Sequence, residues 1–362
     1  AARSRPGGRA PRLADRGPSP PPAVAAVVDL RVSRAEELEA TLAGEDVRYA
    51  QLGTGRCQCR LVALQTAHLQ LRYEAWSLAL LRTGRAPREA VTFLVALDRC
   101  GSVRIQGRPA EAGEVFVLLG GEESDCRSTG PARLASVTFE RAALEDRVRD
   151  LLDRHLGELR LQGRLQGLRA DATLLRGICL EVAARAAAYP RPLRDTGFLR
   201  ALETRLVRAL FAGLGPPASA ETPCRSRALA WRAEAWLRQN LAEPPTIARL
   251  CQALEASERT LHEAFRQHLD TTPKAYLKTL RLNAARHDLV KPRDTTRVTD
   301  VALDWGFLHF GWFSQDYRRL FGETPSQTLH RGRADAGGGR SHGADARAGT
   351  GGSGPLAGAY AM

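Results

Sequence analysis

The sequence predicts an α+β protein, in which a β-rich N-terminal domain with flanking helices precedes an all-α domain of two helix-turn-helix units joined by a linker helix. Short extended runs, separated by glycine and proline, fill residues 47–139, whereas apolar residues at helical spacing dominate from residue 141 onward. In the helical region the same apolar pattern occurs twice, about 51 residues apart. These observations predict both the change of class along the chain and the internal duplication.

The predicted N-terminal domain opens with a helix from Arg34 to Ala43, which Ser33 would cap. Short strands at regular spacing follow and are typical of a small antiparallel barrel or sandwich. They are Arg60–Leu64, Leu69–Tyr73, Ser77–Leu81, Val91–Leu97, Val103–Gln106, Val115–Leu119 and Ala135–Phe139. Helices are then predicted at Ala142–His155, Ala172–Ala188 and Phe198–Leu214. The apolar faces of the first two helices suit them to pair with another subunit, so we expect a homodimer.

Composition sets the domain boundaries. Residues 1–24 are rich in Pro, Gly and Arg, and residues 332–362 are rich in Gly and Ala, so both are predicted to be disordered tails. The N-terminal domain is assigned to 25–213. A proline-containing linker follows at 214–225, and the duplicated helical domain occupies 226–331.

The charge of the chain favours a polyanionic partner. The 362 residues include 53 Lys+Arg and 40 Asp+Glu, which gives a formal net charge of +13. Nearly all the basic residues are arginine, a bias that a GC-rich genome also produces, so the charge is supporting evidence only. No apolar run approaches the ~18–20 residues that cross a bilayer, and the short apolar run at 23–28 is too short for a secretory signal. We therefore expect no membrane partner and a cytoplasmic location.

The seven cysteines predict reduced thiols rather than a disulfide framework, because their number is odd and they are scattered. Four of them, Cys57, Cys59, Cys100 and Cys126, fall in the N-terminal half. A C-x-C pair followed by distant single cysteines matches zinc-ligand spacing poorly. We expect ordinary core cysteines, with metal or redox sensing as the alternative, and we expect no cofactor and no metal.

The duplicated pattern is that of a helix-turn-helix. Apolar residues recur at i, i+3, i+4 and i+7 in Ile247, Leu250, Cys251 and Leu254, and again in Val298, Val301, Ala302 and Trp305. Each copy then resumes with an apolar pair, Leu261/Phe265 and Phe313/Tyr317, and ends in Thr-Pro at 272–273 and 324–325. Gly306 is predicted to take the left-handed conformation between the helices of the second copy. The first copy has Glu255 at the matching turn, where a left-handed residue costs about 1–2 kcal/mol.

Two helix-turn-helix units predict that the chain reads DNA, because the exposed early residues of the second helix of each unit meet base edges. The outward positions of the first unit are Arg259, Thr260, His262, Glu263 and Arg266, and those of the second are Gly311, Trp312, Gln315, Asp316 and Arg319. Arg259 can pair with guanine, Glu263 with cytosine and Gln315 with adenine. Each position could instead be a solvated helix face. Trp312 could pack on a thymine methyl or cover the core of its own domain.

Other residues are predicted to anchor the DNA backbone without reading sequence. Helix N-termini bind phosphate through free backbone N–H groups, and they are expected near Thr246, Ser257, Thr296 and Ser314. Arg249, Arg297 and Arg318 would assist them.

The second copy resembles the signature of the AraC/XylS family of bacterial transcription regulators. It reads ALDWGFLHFGWFSQDYRRLFGETP over residues 302–325, and the linking helix carries the family's Tyr276-Leu277, Arg281-Leu282 and Ala285-Arg286. The resemblance implies a sequence-specific transcription regulator that contacts bases at Arg259, His262, Glu263, Gly311, Trp312 and Gln315. It also implies RNA polymerase as a partner, together with a cupin-like N-terminal domain that dimerises and binds an unknown small-molecule effector.

The resemblance does not name the effector. Residues 47–160 contain only two histidines, so a metal-dependent cupin is not expected. A further similarity, to ethanolamine-utilisation regulators, runs from the leading-helix region through Gln51-Leu-Gly-Thr-Gly-Arg56 and assigns no ligand.

Two other classes of function remain. An enzyme fused to a DNA-binding domain, such as a thiol-dependent repair protein, would place a nucleophilic Cys beside a base, and no such pair is visible in the sequence. We therefore expect no enzyme activity. An architectural DNA binder without a sensor would have a dry or polar-filled barrel interior.

Overall fold

The computed structural model describes residues 24–42, 45–98, 103–159, 170–188, 195–212, 225–241 and 245–338. Strands dominate the N-terminal half: β1 Val24–Val32, β2 Val47–Gln51, β3 Cys59–Thr66, β4 Leu69–Trp76, β5 Leu80–Arg85, β6 Ala90–Ala96, β7 Val103–Ile105, β8 Arg108–Ala110, β9 Val115–Leu119, β10 Glu123–Ser128 and β11 Ala132–Glu140. The helices are α1 Ala35–Thr41, α2 Arg141–Leu152, α3 Ala172–Ala188, α4 Thr196–Leu210, α5 Arg225–Gln239, α6 Ile247–Leu254, α7 Glu258–Leu269, α8 Pro273–Val290, α9 Val298–Asp304, α10 Phe310–Phe321 and α11 Pro325–Gly338.

The strands form two antiparallel sheets that pack face to face. The first sheet has the order β1-β3-β4-β11-β6-β9, and the second has the order β2-β5-β10-β7-β8. Alternate residues of the first sheet face opposite ways: Leu61 and Leu94 point to the second sheet, whereas Val62 and Phe93 join the core under α2, α3 and α4. The first sheet is therefore covered on both faces, which explains why its strands are almost continuously buried.

Charged and polar side chains share the space between the sheets with an apolar cluster that includes Leu61 and Leu94. Glu74, 3% exposed, accepts hydrogen bonds from the Tyr49 hydroxyl (2.9 Å) and from Nε1 of Trp76 (3.0 Å). Arg82 Nε lies 3.4 Å from the same carboxylate, and Arg72 pairs with Glu45. A cavity between the sheets, lined by residues that include Arg72, Arg82 and Ser136, has a volume of about 30 Å³. That cavity holds about one water molecule and has no room for an organic ligand.

The predicted α2 and α3 were right as elements, but the apolar residues of α2 that suited a dimer lie in the chain's own core. Leu144 and Val148 of α2, which the sequence assigned to another subunit, are fully buried in the chain's own core, and Leu151 and Leu152 pack against its edge. These residues are buried because α2 and α3 cover the outer face of the first sheet. These four residues of α2 are therefore not available as a dimer surface.

Local patterns mispredicted several boundaries in this half. Ser33 does not cap α1, whose N-cap is Arg34 without a side-chain hydrogen bond. The predicted strand at Ser77–Leu81 begins three residues later, and β1, β2, β8 and β10 were not predicted as separate strands. β1 begins at the end of the predicted tail, and α11 continues past residue 331 to Gly338. Residues 1–23, most of the predicted linker at 214–225, and residues 339–362 lie outside the described ranges, as does Cys100.

The helical domain has two cores that share α8. Tyr276, Leu277 and Leu280 of α8 pack with α5, α6 and α7. The C-terminal half of α8 packs with α9, α10 and α11, and its buried residues there are Leu282, Ala285 and Leu289. Helical spacing predicts Phe307, Phe313, Tyr317 and Phe321 as core residues; the last three are at most 5% exposed, and Phe307 is partly buried against the same core. None of the helices in the described ranges is long and apolar enough to span a membrane.

Candidate nucleic-acid interface

The helix pairs α6–α7 and α9–α10 are joined by turns of the same hydrogen-bonding pattern. In the first turn the Ala256 N–H donates to the Cys251 carbonyl (3.0 Å), and in the second the Phe307 N–H donates to the Ala302 carbonyl (2.8 Å). Both turns contain a residue in the left-handed region, Glu255 at φ 52° and Gly306 at φ 78°.

The five predicted base-reading residues of the first unit lie along one side of α7. Arg259 is 89% exposed and donates through Nε to Glu263 Oε1, 3.0 Å away and one turn later. Thr260 and Arg266 are exposed, and His262 is half-buried. Ser257 caps the helix by accepting from the Thr260 N–H at 3.1 Å. This surface is polar and carries charges of both signs.

The corresponding surface of α10 is different in chemistry. Gly311, Trp312, Gln315 and Arg319 lie along it, and Trp312 is 69% exposed, which is inconsistent with a role as cover for its own core. The Trp312 ring lies 5.1 Å from the ring of His309. Asp316 accepts from Lys278 Nζ of α8 at 2.8 Å, so it already has a partner inside the domain.

Sequence reasoning missed two apolar residues beside this surface. Leu308 is 76% exposed and Phe310 is 41% exposed, and they flank the N-cap residue His309. The sequence carried this signal for Leu308 alone, because Leu308 does not fit the apolar spacing of Phe313 and Tyr317, whereas Phe310 lies three and seven residues before them and does fit it. Both lie where α10 begins, next to the predicted reading positions.

Of the four residues predicted to lie at helix N-termini, two cap a helix and two do not. Thr246 and Ser257 cap α6 and α7 through their side chains. Thr296 precedes the N-cap Arg297 and its hydroxyl accepts instead from the Arg293 N–H. Ser314 lies inside α10, because that helix begins at Phe310, four residues earlier than predicted. The three predicted arginine anchors lie at or near the surface: Arg249, Arg297 and Arg318.

The N-terminal domain contacts the end of α7 through a buried ionic cluster. Arg127 of β10, 8% exposed, donates to Glu234 of α5 (3.1 Å) and to the carbonyl of Leu269, the last residue of α7 (3.0 Å). The Tyr276 hydroxyl also donates to Glu234 at 2.6 Å, and Arg238 lies 3.9 Å from the same carboxylate. Burial first, and then the charge of Glu234, raise the pKa of Tyr276 well above its usual value. This cluster joins the two domains at the first unit.

The second unit is attached through different chemistry. Gln51, at the end of β2, exchanges two hydrogen bonds between its backbone and the Asn283 side chain of α8 (2.7 and 2.8 Å). The Gln51 side chain also donates to the carbonyl of Leu320 near the end of α10 (2.6 Å). The Gly55 N–H donates to that same carbonyl at 3.0 Å. The two recognition-helix candidates are therefore both held at their C-terminal ends by the N-terminal domain.

An ion-pair network borders this second attachment. Arg286 of α8 is bonded to Glu36 of α1 (2.8 Å) and to Glu323 (2.8 Å), and it stacks on the Phe321 ring. Burial alone would raise the pKa of Glu323. The hydrogen bond from Arg331 and the charge of Arg286 outweigh it and lower that pKa to about 2. The carboxylate therefore stays ionised at any ordinary pH.

A cleft of about 630 Å³ opens beside this network, between α1 and β2 on one side and α8 on the other. Its apolar lining includes Val47, Val290 and Phe321. Burial raises the pKa of Glu39, although the Tyr49 N–H donates to that carboxylate and the charges of three basic residues oppose the rise.

The described ranges contain no group of three or more candidate ligand residues that could hold a metal. Cys57 and Cys59 are buried with their sulfurs 3.1 Å apart, in agreement with core cysteines.

Fold and surface together define a helix-turn-helix protein, and comparison with known proteins agrees. Residues 250–331 match the family model described as a helix-turn-helix domain. Over 97 residues the chain is 39% identical to the XylDLEGF operon transcriptional activator of Pseudomonas putida, which covers 26% of this chain and 30% of that protein. It is 32% identical over 134 residues to XylDLEGF operon transcriptional activator 2 of the same organism, covering 36% of this chain and 82% of the relative. The chain belongs to the AraC/XylS family, which confirms the resemblance drawn from residues 302–325.

A solved structure gives a further likeness. A probable AraC family transcriptional regulator from Rhodopseudomonas palustris is 35% identical, covers 29% of this chain and 97% of its own, and has a TM-score of 0.28. The chain spans about 30% of the length of the first curated relative. Both P. putida relatives are named as transcriptional activators.

Proposed function

We propose that the chain is a sequence-specific DNA-binding transcription regulator of the AraC/XylS type, which places α7 and α10 in the major groove. The observation that carries the proposal is the pair of equivalent turns, each followed by a helix whose early residues are exposed. Arg259 and Gln315 are available at the surface for guanine and adenine edges. The arginines at 249, 297 and 318 supply phosphate contacts.

The experiment that tests this function separates specificity from affinity. Arg259→Ala should lower the affinity of the full chain by about 1–3 kcal/mol and relax the preference at one base pair. Arg297→Ala should weaken binding to all sequences and reduce the log–log salt slope by about one unit, because phosphate contacts release counterions wherever they form. A selection of binding sites from random DNA, repeated for each variant, is the measurement.

Two outcomes would contradict the proposal. Failure of the wild-type chain to enrich any sequence would remove the function itself. An Arg259→Ala variant that keeps the wild-type preference, while showing the reduced salt slope, would show that Arg259 contacts phosphate rather than a base. Glu263→Gln leaves the Arg259 guanidinium in place without its ion pair, and it should change the preference only at the base pair that Glu263 contacts.

We further propose that a small-molecule effector controls the protein and binds in the cleft between α1, β2 and α8. The cavity of about 30 Å³ between the two sheets is too small for it, whereas the cleft borders the contacts that attach the second unit. An effector that binds one arrangement of the cleft more tightly would change the population of that arrangement. A homodimer would raise the effective concentration of DNA-binding domains at repeated half-sites, and RNA polymerase is the proposed partner in activation.

The filled interior also favours a second candidate, an architectural DNA binder without an effector. The two are separated by measuring operator affinity of the full chain with and without a small-molecule extract of cells. A change with the wild type that disappears in Val290→Trp, which narrows the cleft, supports the effector site. An affinity that no extract changes supports the architectural binder.

A further inference from the structure

The start of α10 carries an apolar surface that the fold of the domain does not use. Leu308 (76% exposed), Phe310 (41%) and Trp312 (69%) lie within five consecutive residues. Trp312, three residues before Gln315, lies on the side of α10 that the proposed function turns toward DNA, whereas Phe310, three residues before the buried Phe313, lies toward the core side. Large apolar side chains in such a cluster lose free energy to water unless a partner covers them.

Gly311 lies in the middle of this surface and has no structural reason to be glycine. Its φ is outside the left-handed region, and a Cβ built there would meet no atom within 4 Å. Glycine inside a helix costs roughly 1 kcal/mol relative to alanine, so the fold alone would favour alanine. The missing side chain keeps the first turn of α10 narrow and lets a partner approach its backbone closely.

We propose that the second unit reads thymine by burying its C5-methyl groups against Leu308 and Trp312. This inference rests on the proposed function and specifies the chemistry of one of its two half-sites. The thymine methyl is the one apolar feature that the base edges of the major groove present, and apolar side chains recognise it. Gly311 supplies the clearance that brings the helix N-terminus against the groove.

The first unit provides a contrast within the same chain. When Leu261 and Phe265 are aligned with Phe313 and Tyr317, Phe310 and Trp312 correspond to Glu258 and Thr260, which are polar and exposed. Leu308 corresponds to Ala256, a small residue that packs against the core of the first unit. The first half-site is therefore read through hydrogen bonds, and methyl groups contribute little there. Dependence on thymine methyls is confined to the half-site that α10 covers.

The test replaces thymine by uracil, which pairs identically and lacks only the methyl group. The full chain is first used to select its operator, and footprints of wild type and Gln315→Ala assign the block that α10 covers. Uracil in that block should weaken binding about fourfold for each contacted methyl, as expected for one buried methyl-sized group. Uracil in the other block should change affinity less than about twofold, since hydrogen bonds to base edges do not involve the methyl.

Variants of the protein connect the effect to the named side chains. Trp312→Ala and Leu308→Ala should bind the thymine operator more weakly and no longer distinguish it from the uracil operator. Both side chains are exposed, so these variants should fold, and circular dichroism checks this. Gly311→Val, which adds a branched side chain where the protein has space, should weaken binding to both operators while leaving the thermal unfolding transition close to that of the wild type. Arg259→Ala is the control and should keep the full response to uracil.

Three results would overturn the inference. If the wild type binds the thymine and uracil operators with equal affinity and still binds specifically, α10 does not recognise thymine methyl groups, and the proposed function is unaffected. An equal response of both blocks removes the contrast between the units. If Trp312→Ala leaves DNA binding unchanged but abolishes transcription with purified RNA polymerase, the apolar surface binds a protein instead. Absence of any specific operator would be a failure of the proposed function itself.

Discussion

The two helix pairs of the C-terminal domain have the same backbone plan and different chemistry. The first turns on Glu255 and presents charged side chains, whereas the second turns on Gly306 and presents Leu308 and Trp312. The hydrogen bonds that close the two turns are nevertheless equivalent. Duplicated backbone geometry can therefore coexist with separate reading surfaces, because the cores determine the geometry and leave the exposed positions free to differ.

The attachments of the two units to the N-terminal domain differ as well. Arg127, Glu234 and Tyr276 form a buried ionic cluster at the first unit, whereas the amides of Gln51 and Asn283 contact backbone groups at the second, beside the ion pair of Arg286 with Glu36. Removing one member of a buried ion pair is costly because the other charge is left unpaired. Glu36 is 20% exposed and Glu234 only 7%, so we expect the second attachment, which borders the cleft, to open more readily than the first.

The largest expected effect is that of Arg127→Ala. The substitution leaves the Glu234 carboxylate, which is 7% exposed, without its closest cation and should destabilise the protein by about 3 kcal/mol or more. Urea denaturation of the full chain measures it. Arg85→Ala is the matched control, because Arg85 lies on the neighbouring strand in an ion pair that is more than half exposed, and it should cost less than about 1 kcal/mol. Equal costs would mean that the first attachment is not a buried ionic contact.

A smaller effect is expected for Asn283→Ala at the second attachment. The change removes both partners of the Gln51 backbone groups and should cost about 1–3 kcal/mol. Asn283→Asp keeps the acceptor for the Gln51 N–H and should retain part of that stability. Hydrogen exchange of the Gln51 amide provides a local readout, and it should accelerate in Asn283→Ala more than in the aspartate variant. An unchanged exchange rate would show that this contact is absent in solution.

The smallest effects concern the two turns and should have opposite signs. Gly306→Ala forces a side chain into the left-handed region, where the nearest atoms are 3.6 Å away, so backbone strain alone should cost about 1–2 kcal/mol. Glu255→Gly relieves the same strain and should stabilise by up to about 1 kcal/mol, since the greater freedom of glycine in the unfolded chain offsets some of the gain. Thermal denaturation compares the pair. A loss of stability in Glu255→Gly would contradict the equivalence of the turns.

The sequence predicted the helical domain more completely than the β-rich one, for physical reasons. Helical spacing places Leu261, Phe265, Phe313 and Tyr317 in the core without knowledge of any distant residue. Strand β10, Glu123–Ser128, escaped prediction because its buried positions are held by small or polar residues such as Ser124 and Ser128 rather than by large apolar ones. A strand of that composition can be recognised only from its pairing with the neighbouring strands β5 and β7.

In the candidate site, too, some features could be predicted from the sequence and others could not. The positions of α7 and α10 were predictable because helix geometry and the family resemblance fix them. The partner of Asp316, and the start of α10 four residues before Ser314, depend on contacts that local patterns do not contain. The first attachment joins Arg127 to Leu269, which are separated by 142 positions in the sequence, and the second joins Gln51 to Leu320, which are separated by 269 positions. No periodicity within one segment predicts them.

Footprinting of the full chain on its selected operator tests most directly whether both units read DNA. Helix α8 has 18 residues and is therefore ~27 Å long, which is shorter than the roughly 34–36 Å of one DNA turn. Two helices at that spacing should protect two blocks about one turn apart on one face of the duplex, with the DNA bent between them. Gln315→Ala should weaken protection in one block and Arg259→Ala in the other. A single protected block of about 5 base pairs, weakened by only one of these substitutions, would contradict reading by two units.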